Sequence, residues 1–210
     1  MTTSVLIVDH GLCNLDSIGR ALGECGARVT VSADPAAIAT ASRLVLPGVG
    51  SFAAGMANLH GRGLAAALHD SLARHPRPLL GVCLGLQLLA EWGAEGGTAG
   101  GEGGTAGLGL IPGRVERLDT RPGERLPHIG WNQVHPLRDH PLFRGIADGA
   151  DVYFVHSYAL RCPEENRLAT GAYAGGFTAA AGNGLVCGVQ FHPEKSQHVG
   201  FTLIRNFLAM

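Results

Sequence analysis

Cys83 stands between two glycines in Gly81-Val-Cys83-Leu-Gly85. It ends one apolar run and opens another. The first run, residues 78–82, reads as a short buried strand, and the second, residues 84–90, as a helix. A nucleophile at such a strand-to-helix turn sits on a tight elbow, with room only for glycine on either side. Helix N-termini favour thiolates and aim backbone N–H groups at an oxyanion formed there. Taken alone, Gly-x-Cys-x-Gly fits a small core hydrophobe equally well. The rest of the chain has to decide.

Residues 188–195, Gly-Val-Gln-Phe-His192-Pro-Glu194-Lys195, form an apolar strand ending in His-x-Glu. Residues two apart on an extended segment face the same side. Glu194 can therefore accept from one ring nitrogen of His192 and fix its tautomer, leaving the other free as base or acid. His-Pro-Glu alone reads as a polar loop just as readily. A Cys elbow earlier in the chain makes a Cys83-His192-Glu194 triad a consistent reading. Pro47-Gly48-Val49-Gly50 supplies a third part. Its glycines let the Val49 and Gly50 backbone turn N–H groups inward, and with the Leu84 N–H they would make an oxyanion hole. The alternative is a plain turn. Gln87 is the only polar side chain in residues 84–90. A buried amide needs partners, so Gln87 is expected to face the site.

These parts need a scaffold. Residues 5–8, 28–31 and 44–46 read as strands. Asn14 can cap a helix that buries Leu15, Ile18 and Leu22, Pro35 opens a short helix, and residues 64–75 read as another. Strand–helix alternation implies a parallel sheet with helices on both faces and ligands at the carboxyl ends of its strands. The loops at residues 9–13, 47–50 and 81–85 all lie at such ends. The second half reads as shorter strands at 113–118, 151–155, 167–173, 178–181 and 185–191, with Asn183-Gly184 as a hairpin turn. A final helix covers residues 199–208. Residues 93–109 are glycine-rich, contain Gly-Gly-Thr-Ala-Gly twice and read as a flexible surface loop. The expected fold is α/β, an open, mostly parallel, flavodoxin-like sheet flanked by helices, with a smaller antiparallel region, in one domain spanning residues 1–210.

Bulk properties narrow the function. A hydrophobic content of 46% supports a real core, and a net charge of -1 gives no electrostatic case for nucleic acid or an anionic membrane surface. No apolar run is long enough to span a bilayer, and the N-terminal segment lacks the basic region of a signal peptide. The odd count of 5 cysteines, with no Cys-x-x-Cys pair, offers neither a zinc framework nor a disulfide scaffold. Cys13, Cys25, Cys162 and Cys187 read as inert packing residues in a reducing cytoplasm.

Together these residues resemble the class I, triad-type glutamine amidotransferases, and among them the glutaminase subunits of imidazole glycerol phosphate synthase. The resemblance spans nearly the whole chain. Its motifs are Asn14-Leu-x-Ser17, Leu46-Pro-Gly-Val-Gly50-x-Phe52, the elbow through Leu89, Pro127-His-Ile-Gly-Trp-Asn132, Tyr153-Phe-Val-His-Ser-Tyr158 and Gly188 to Ser196. The elbow and His-Pro-Glu belong to the whole class; the two aromatic motifs are far more specific.

The resemblance implies that Cys83 is the nucleophile, His192 the general base and acid, and Glu194 its orienting partner. It implies an oxyanion hole at Val49, Gly50 and Leu84. L-glutamine would be held by Gly48, Gln87, Glu95 and the backbone at Ser157 and Tyr158, with Glu95 on the α-ammonium. Asn14, Arg20, Trp131, Asn132, Tyr153 and Lys195 would face a partner, a (β/α)8-barrel cyclase in a heterodimer. His156 reads as a structural histidine. No metal or organic cofactor is implied. Two departures stand out: Cys13 replaces the usual glycine before Asn14, and the link after Glu95 is long and glycine-rich. Other synthases served by a related glutaminase, and a non-catalytic scaffold, remain the alternatives.

Overall fold

The computed structural model describes residues 3–96 and 103–210. In chain order its main elements are β1 (Ser4–Val8), α1 (Leu15–Glu24), β2 (Arg28–Ser32), α2 (Pro35–Thr40), β3 (Leu44–Gly48), α3 (Phe52–Gly61), α4 (Leu64–Arg74), β4 (Leu79–Cys83) and α5 (Leu84–Leu88). The short strands β5 (Trp92–Gly93) and β6 (Thr105–Ala106) follow, then β7 (Arg114–Arg117), β8 (His128–Pro136), β9 (Ala150–His156), β10 (Tyr158–Arg161), β11 (Arg167–Gly171), β12 (Phe177–Asn183), β13 (Val186–Val189) and α6 (Gln197–Ala209).

One large sheet runs β2-β1-β3-β4-β13-β12-β11-β8-β9. Pairings from β2 through β13 are parallel and those from β13 to β9 are antiparallel. The sheet is therefore mixed: the parallel half and the antiparallel strands expected in the second half share one sheet. The strands of the second half continue the first sheet through the Asn183-Gly184 hairpin. A second, smaller sheet runs β10-β7-β5-β6.

Strands β3 and β4 are buried along their length because both faces are covered. Alternation along β1 sends Val5 and Ile7 to a core with Ile18, Leu22, Leu203 and Phe207 from α1 and α6. Leu6 and Val8 go to the opposite core with Ile38, Phe52, Met56 and Leu68 from α2, α3 and α4. Asn14 holds the N-cap position of α1 without a side-chain capping bond; Asp34, at α2, does accept from the Ala36 N–H. Strand β3 runs on through Pro47 and Gly48, past the predicted turn. The missing N–H of Pro47 costs nothing there, because the β1–β3 pairing ends at Val45.

The glycine-rich segment is corrected at both described ends. Thr105–Ala106 pairs with Trp92–Gly93, and Leu108 is buried. The remainder of the predicted loop, residues 97–102, lies outside the described residues. Glycine is required here by close approach. A Cβ on Gly93 would come within 2.5 Å of the Phe52 ring, and one on Gly107 would overlap the Ala90 carbonyl oxygen. Gly107→Ala is therefore expected to destabilise the protein by about 1–3 kcal/mol through overpacking. Thermal melting should fall by several degrees; an unchanged melting temperature would mean the segment is free to move away.

Candidate active site

The carboxyl ends of β1, β3, β4 and β13 meet at one edge of the sheet. Cys83 ends β4 with φ 54 and ψ -112, a strained conformation that lifts its side chain out of the strand. The flanking glycines follow from that turn. A Cβ on Gly81 would lie 2.7 Å from the Leu86 nitrogen, and one on Gly85 would overlap the Leu46 carbonyl. Only hydrogen fits at either position.

Strand β13 delivers His192. Its backbone is pinned to β9, with the His192 N–H donating to Tyr153 O at 2.9 Å. Ser196 Oγ donates to His192 O at 2.7 Å and accepts from the Tyr153 N–H at 3.0 Å. His192 Nδ1 donates to Glu194 Oε1 at 2.8 Å, and both side chains are buried. Burial works to lower the His192 pKa. Its interactions with Cys83 and Glu194 outweigh burial and raise the value above the ordinary histidine range. The arrangement can stabilise an imidazolium as the sulfur becomes anionic.

A cavity of about 190 Å³ opens over the thiol, lined by Val49, Gly50, Cys83, Leu84, Gln87, Glu95, Val155, His156, Ser157, Tyr158, His192 and Lys195. It brings together most of the residues singled out in the sequence. Gln87 is buried, and its Nε2 donates to Tyr158 O at 2.9 Å and to Gln190 Oε1 at 3.0 Å. Glu95 accepts from the Phe52 N–H at 3.2 Å at the start of α3. Burial raises its pKa and that hydrogen bond opposes the rise. A cationic group entering the cavity would relieve this desolvation.

Other residues stand apart. Gly48 does not line the cavity. It packs beneath it, where a Cβ would lie 3.0 Å from Leu84 Cβ and 3.2 Å from His10 Nε2. Arg20 is exposed on α1, and Trp131 is 49% exposed on β8, edge-on to Tyr153 with ring centroids 6.0 Å apart. Lys195, predicted for the partner face, stands at the cavity and also over the Tyr153 ring, at 5.7 Å.

The oxyanion hole differs from expectation. The Val49 N–H donates to Leu12 O at 2.8 Å, so it is not a free donor in this state. The same strand is held at Pro47 O by His10 Nε2 at 2.9 Å and by the Cys13 thiol at 3.5 Å. Cys13 is thus a hydrogen-bonding residue of this clamp; burial pushes its thiol up to about 11.

Gln190 is the residue missed in the sequence. It is wholly buried, and its Nε2 donates to Cys83 Sγ at 3.7 Å. The reasoning applied to Gln87, a lone amide inside an apolar run, would have found it.

Residues 6–210 match the family model described as Glutamine amidotransferase class-I. This chain belongs to the class I glutamine amidotransferases. The imidazole glycerol phosphate synthase subunit HisH of Moorella thermoacetica is 46% identical, the alignment covering 97% of this chain and 93% of that protein. The HisH subunit of Symbiobacterium thermophilum is 47% identical over 97% of this chain and 92% of its own length. Among solved structures, PurLQS from Thermotoga maritima superposes with a TM-score of 0.70 at 16% identity, covering 100% of this chain and 99% of that one. The glutaminase domain of Trypanosoma brucei CTPS gives 0.65 at 14% identity, covering 99% and 94%. At such identities the structures speak for the amidotransferase fold alone.

Proposed function

We propose that this amidotransferase is the glutaminase subunit of an imidazole glycerol phosphate synthase in histidine biosynthesis, working in the cytoplasm with a separate (β/α)8-barrel cyclase. Similarity to the HisH proteins over nearly the whole chain supports the assignment. The chemistry rests on Cys83 standing on its strained turn in the same cavity as His192, Gln87 and Glu95.

L-glutamine enters with its α-ammonium toward Glu95 and its side-chain amide over Cys83. The thiolate attacks the carboxamide carbon, and the charge that develops on oxygen is met by the Leu84 N–H. His192 protonates the departing ammonia, which leaves a glutamyl thioester. His192 then takes a proton from water as it attacks the thioester, releasing glutamate and the thiol. Ammonia is the nucleophile needed by the cyclase. Trp131, Asn132, Tyr153, Asn14 and Arg20 are the candidate contacts of that partner.

A full oxyanion hole needs a second donor from Val49 or Gly50, and the Val49 N–H is held by Leu12. Gly50, with φ +94, allows the intervening peptide to rotate. The chain alone is therefore expected to hydrolyse glutamine about a hundredfold more slowly than in complex with the cyclase and its nucleotide substrate, the loss typical of one missing donor. Glutamate release, followed with and without the cyclase, tests both the gate and the assignment. Full activity of the free chain would remove the gate; no glutamate release in either setting would remove the assignment.

A further inference from the structure

Two buried histidines outside the triad join the partner-facing strand to the cavity. Asn132 Nδ2 lies 3.3 Å from His128 Nε2, His128 Nδ1 lies 3.0 Å from His156 Nε2, and His156 Nδ1 lies 2.9 Å from Tyr158 O. The direction of this chain is fixed at both ends by backbone groups whose roles do not change. Tyr158 O can only accept, so His156 carries its proton on Nδ1 and its Nε2 accepts. His128 must then donate through Nδ1 and accept at Nε2. At the far end the Gln133 N–H donates to Asn132 Oδ1 at 2.8 Å, which leaves the Asn132 NH2 facing His128. Every link is satisfied by one arrangement, with both rings neutral.

The rings are held rigidly. His128 stacks on Tyr173 with centroids 4.2 Å apart and an interplanar angle of 10°. It also stacks on Phe154 at 5.1 Å, while His156 lies 4.8 Å from the Phe177 ring. Tyr173 is itself pinned, its hydroxyl donating to Arg125 O at 2.7 Å. Burial lowers the pKa of both histidines, that of His156 to about 3. The chain does not stop at Tyr158. The same carbonyl accepts from Gln87, Gln87 donates to Gln190, and Gln190 donates to the Cys83 sulfur.

We propose that Asn132, His128 and His156 form a one-directional hydrogen-bond relay that transmits the position of the partner-facing strand to Tyr158 and Gln87, and so to glutamine binding beside Cys83. This rests on the glutaminase reading above and assigns His128 and His156 as positioning residues. The relay needs rigid rings and a defined tautomer; it moves no proton.

The full chain labelled with 15N-histidine, studied by NMR at neutral pH, tests the relay without any substrate. Both histidines are expected as the Nδ1–H tautomer, the less common form of a free imidazole. An Nε2–H tautomer or an imidazolium at either position would overturn the proposal. His128→Phe then keeps a stacking ring and removes both relay nitrogens. In the complex with the cyclase it is expected to raise the glutamine KM about tenfold, because both links of His128 are lost and His156 Nε2 is left unpaired. The kcat and the rate with ammonium salt should change far less. A folded His128→Phe complex with unchanged KM would overturn the proposal. If that variant does not fold, Asn132→Leu at saturating cyclase carries the same KM expectation and the same refutation. Loss of ammonium-dependent synthesis in the wild-type complex would instead indict the partner assignment, leaving the tautomer result standing.

Discussion

Cys83→Ser is expected to abolish glutamine-dependent synthesis while the complex with the cyclase still assembles and still uses added ammonium salt. The serine hydroxyl is far less acidic than a thiol, and His192 cannot hold it as an alkoxide. The substitution is nearly isosteric, so the strained turn and the Gly81 and Gly85 contacts persist. Only glutamine cleavage is lost, by at least about 10³-fold on the scale of a missing nucleophile. Glutamine-dependent turnover above a few per cent of wild type would refute Cys83 as nucleophile. Ammonium-dependent turnover lost in parallel would point to failed docking instead.

Legibility in the sequence followed how local the determinant was. The elbow was readable because Gly81, Cys83 and Gly85 each answer a backbone constraint within one turn. His192 and Glu194 were readable because two-residue spacing alone brings them together. Helix α3 was not anticipated, although Phe52, Met56 and Leu59 have helical spacing. Its Gly55 reads as a helix breaker until the fold shows that a Cβ there would sit 2.9 Å from Leu88 Cδ2. Strand β8 was not anticipated either. His128, Ile129, Trp131 and Val134 do not alternate apolar with polar, since one face meets aromatic rings and histidines and the other is exposed. The state of Val49 depends on Leu12, and the role of His128 depends on His156 and Asn132. These are contacts between distant segments, which no local pattern encodes.

Glu194→Gln should cost less than His192→Ala at saturating glutamine. His192→Ala removes the group that protonates ammonia and deprotonates water, a loss of about 10³-fold or more. Glu194 acts through His192. Its Oε1 accepts from Nδ1 at 2.8 Å, and among the described residues no group donates to its buried Oε2. That second oxygen decides the outcome. Were Oε2 held by a backbone N–H, a glutamine amide would be forced to turn its NH2 toward His192 and fix the wrong tautomer. With nothing holding it, the amide can rotate to present its oxygen to Nδ1 and keep Nε2 facing the thiol. What remains is the loss of one negative charge beside the imidazolium and the burial of an unpaired NH2, about 2–3 kcal/mol together, or roughly 30- to 150-fold. The histidine's raised pKa should fall at the same time, because Glu194 is one of the groups that raise it. The alkaline side of the pH–rate profile should shift to lower pH in Glu194→Gln if it reports His192 acting as an acid. A Glu194→Gln enzyme as impaired as His192→Ala would mean that the amide is locked the other way round, and that a donor reaches Oε2 in the working complex.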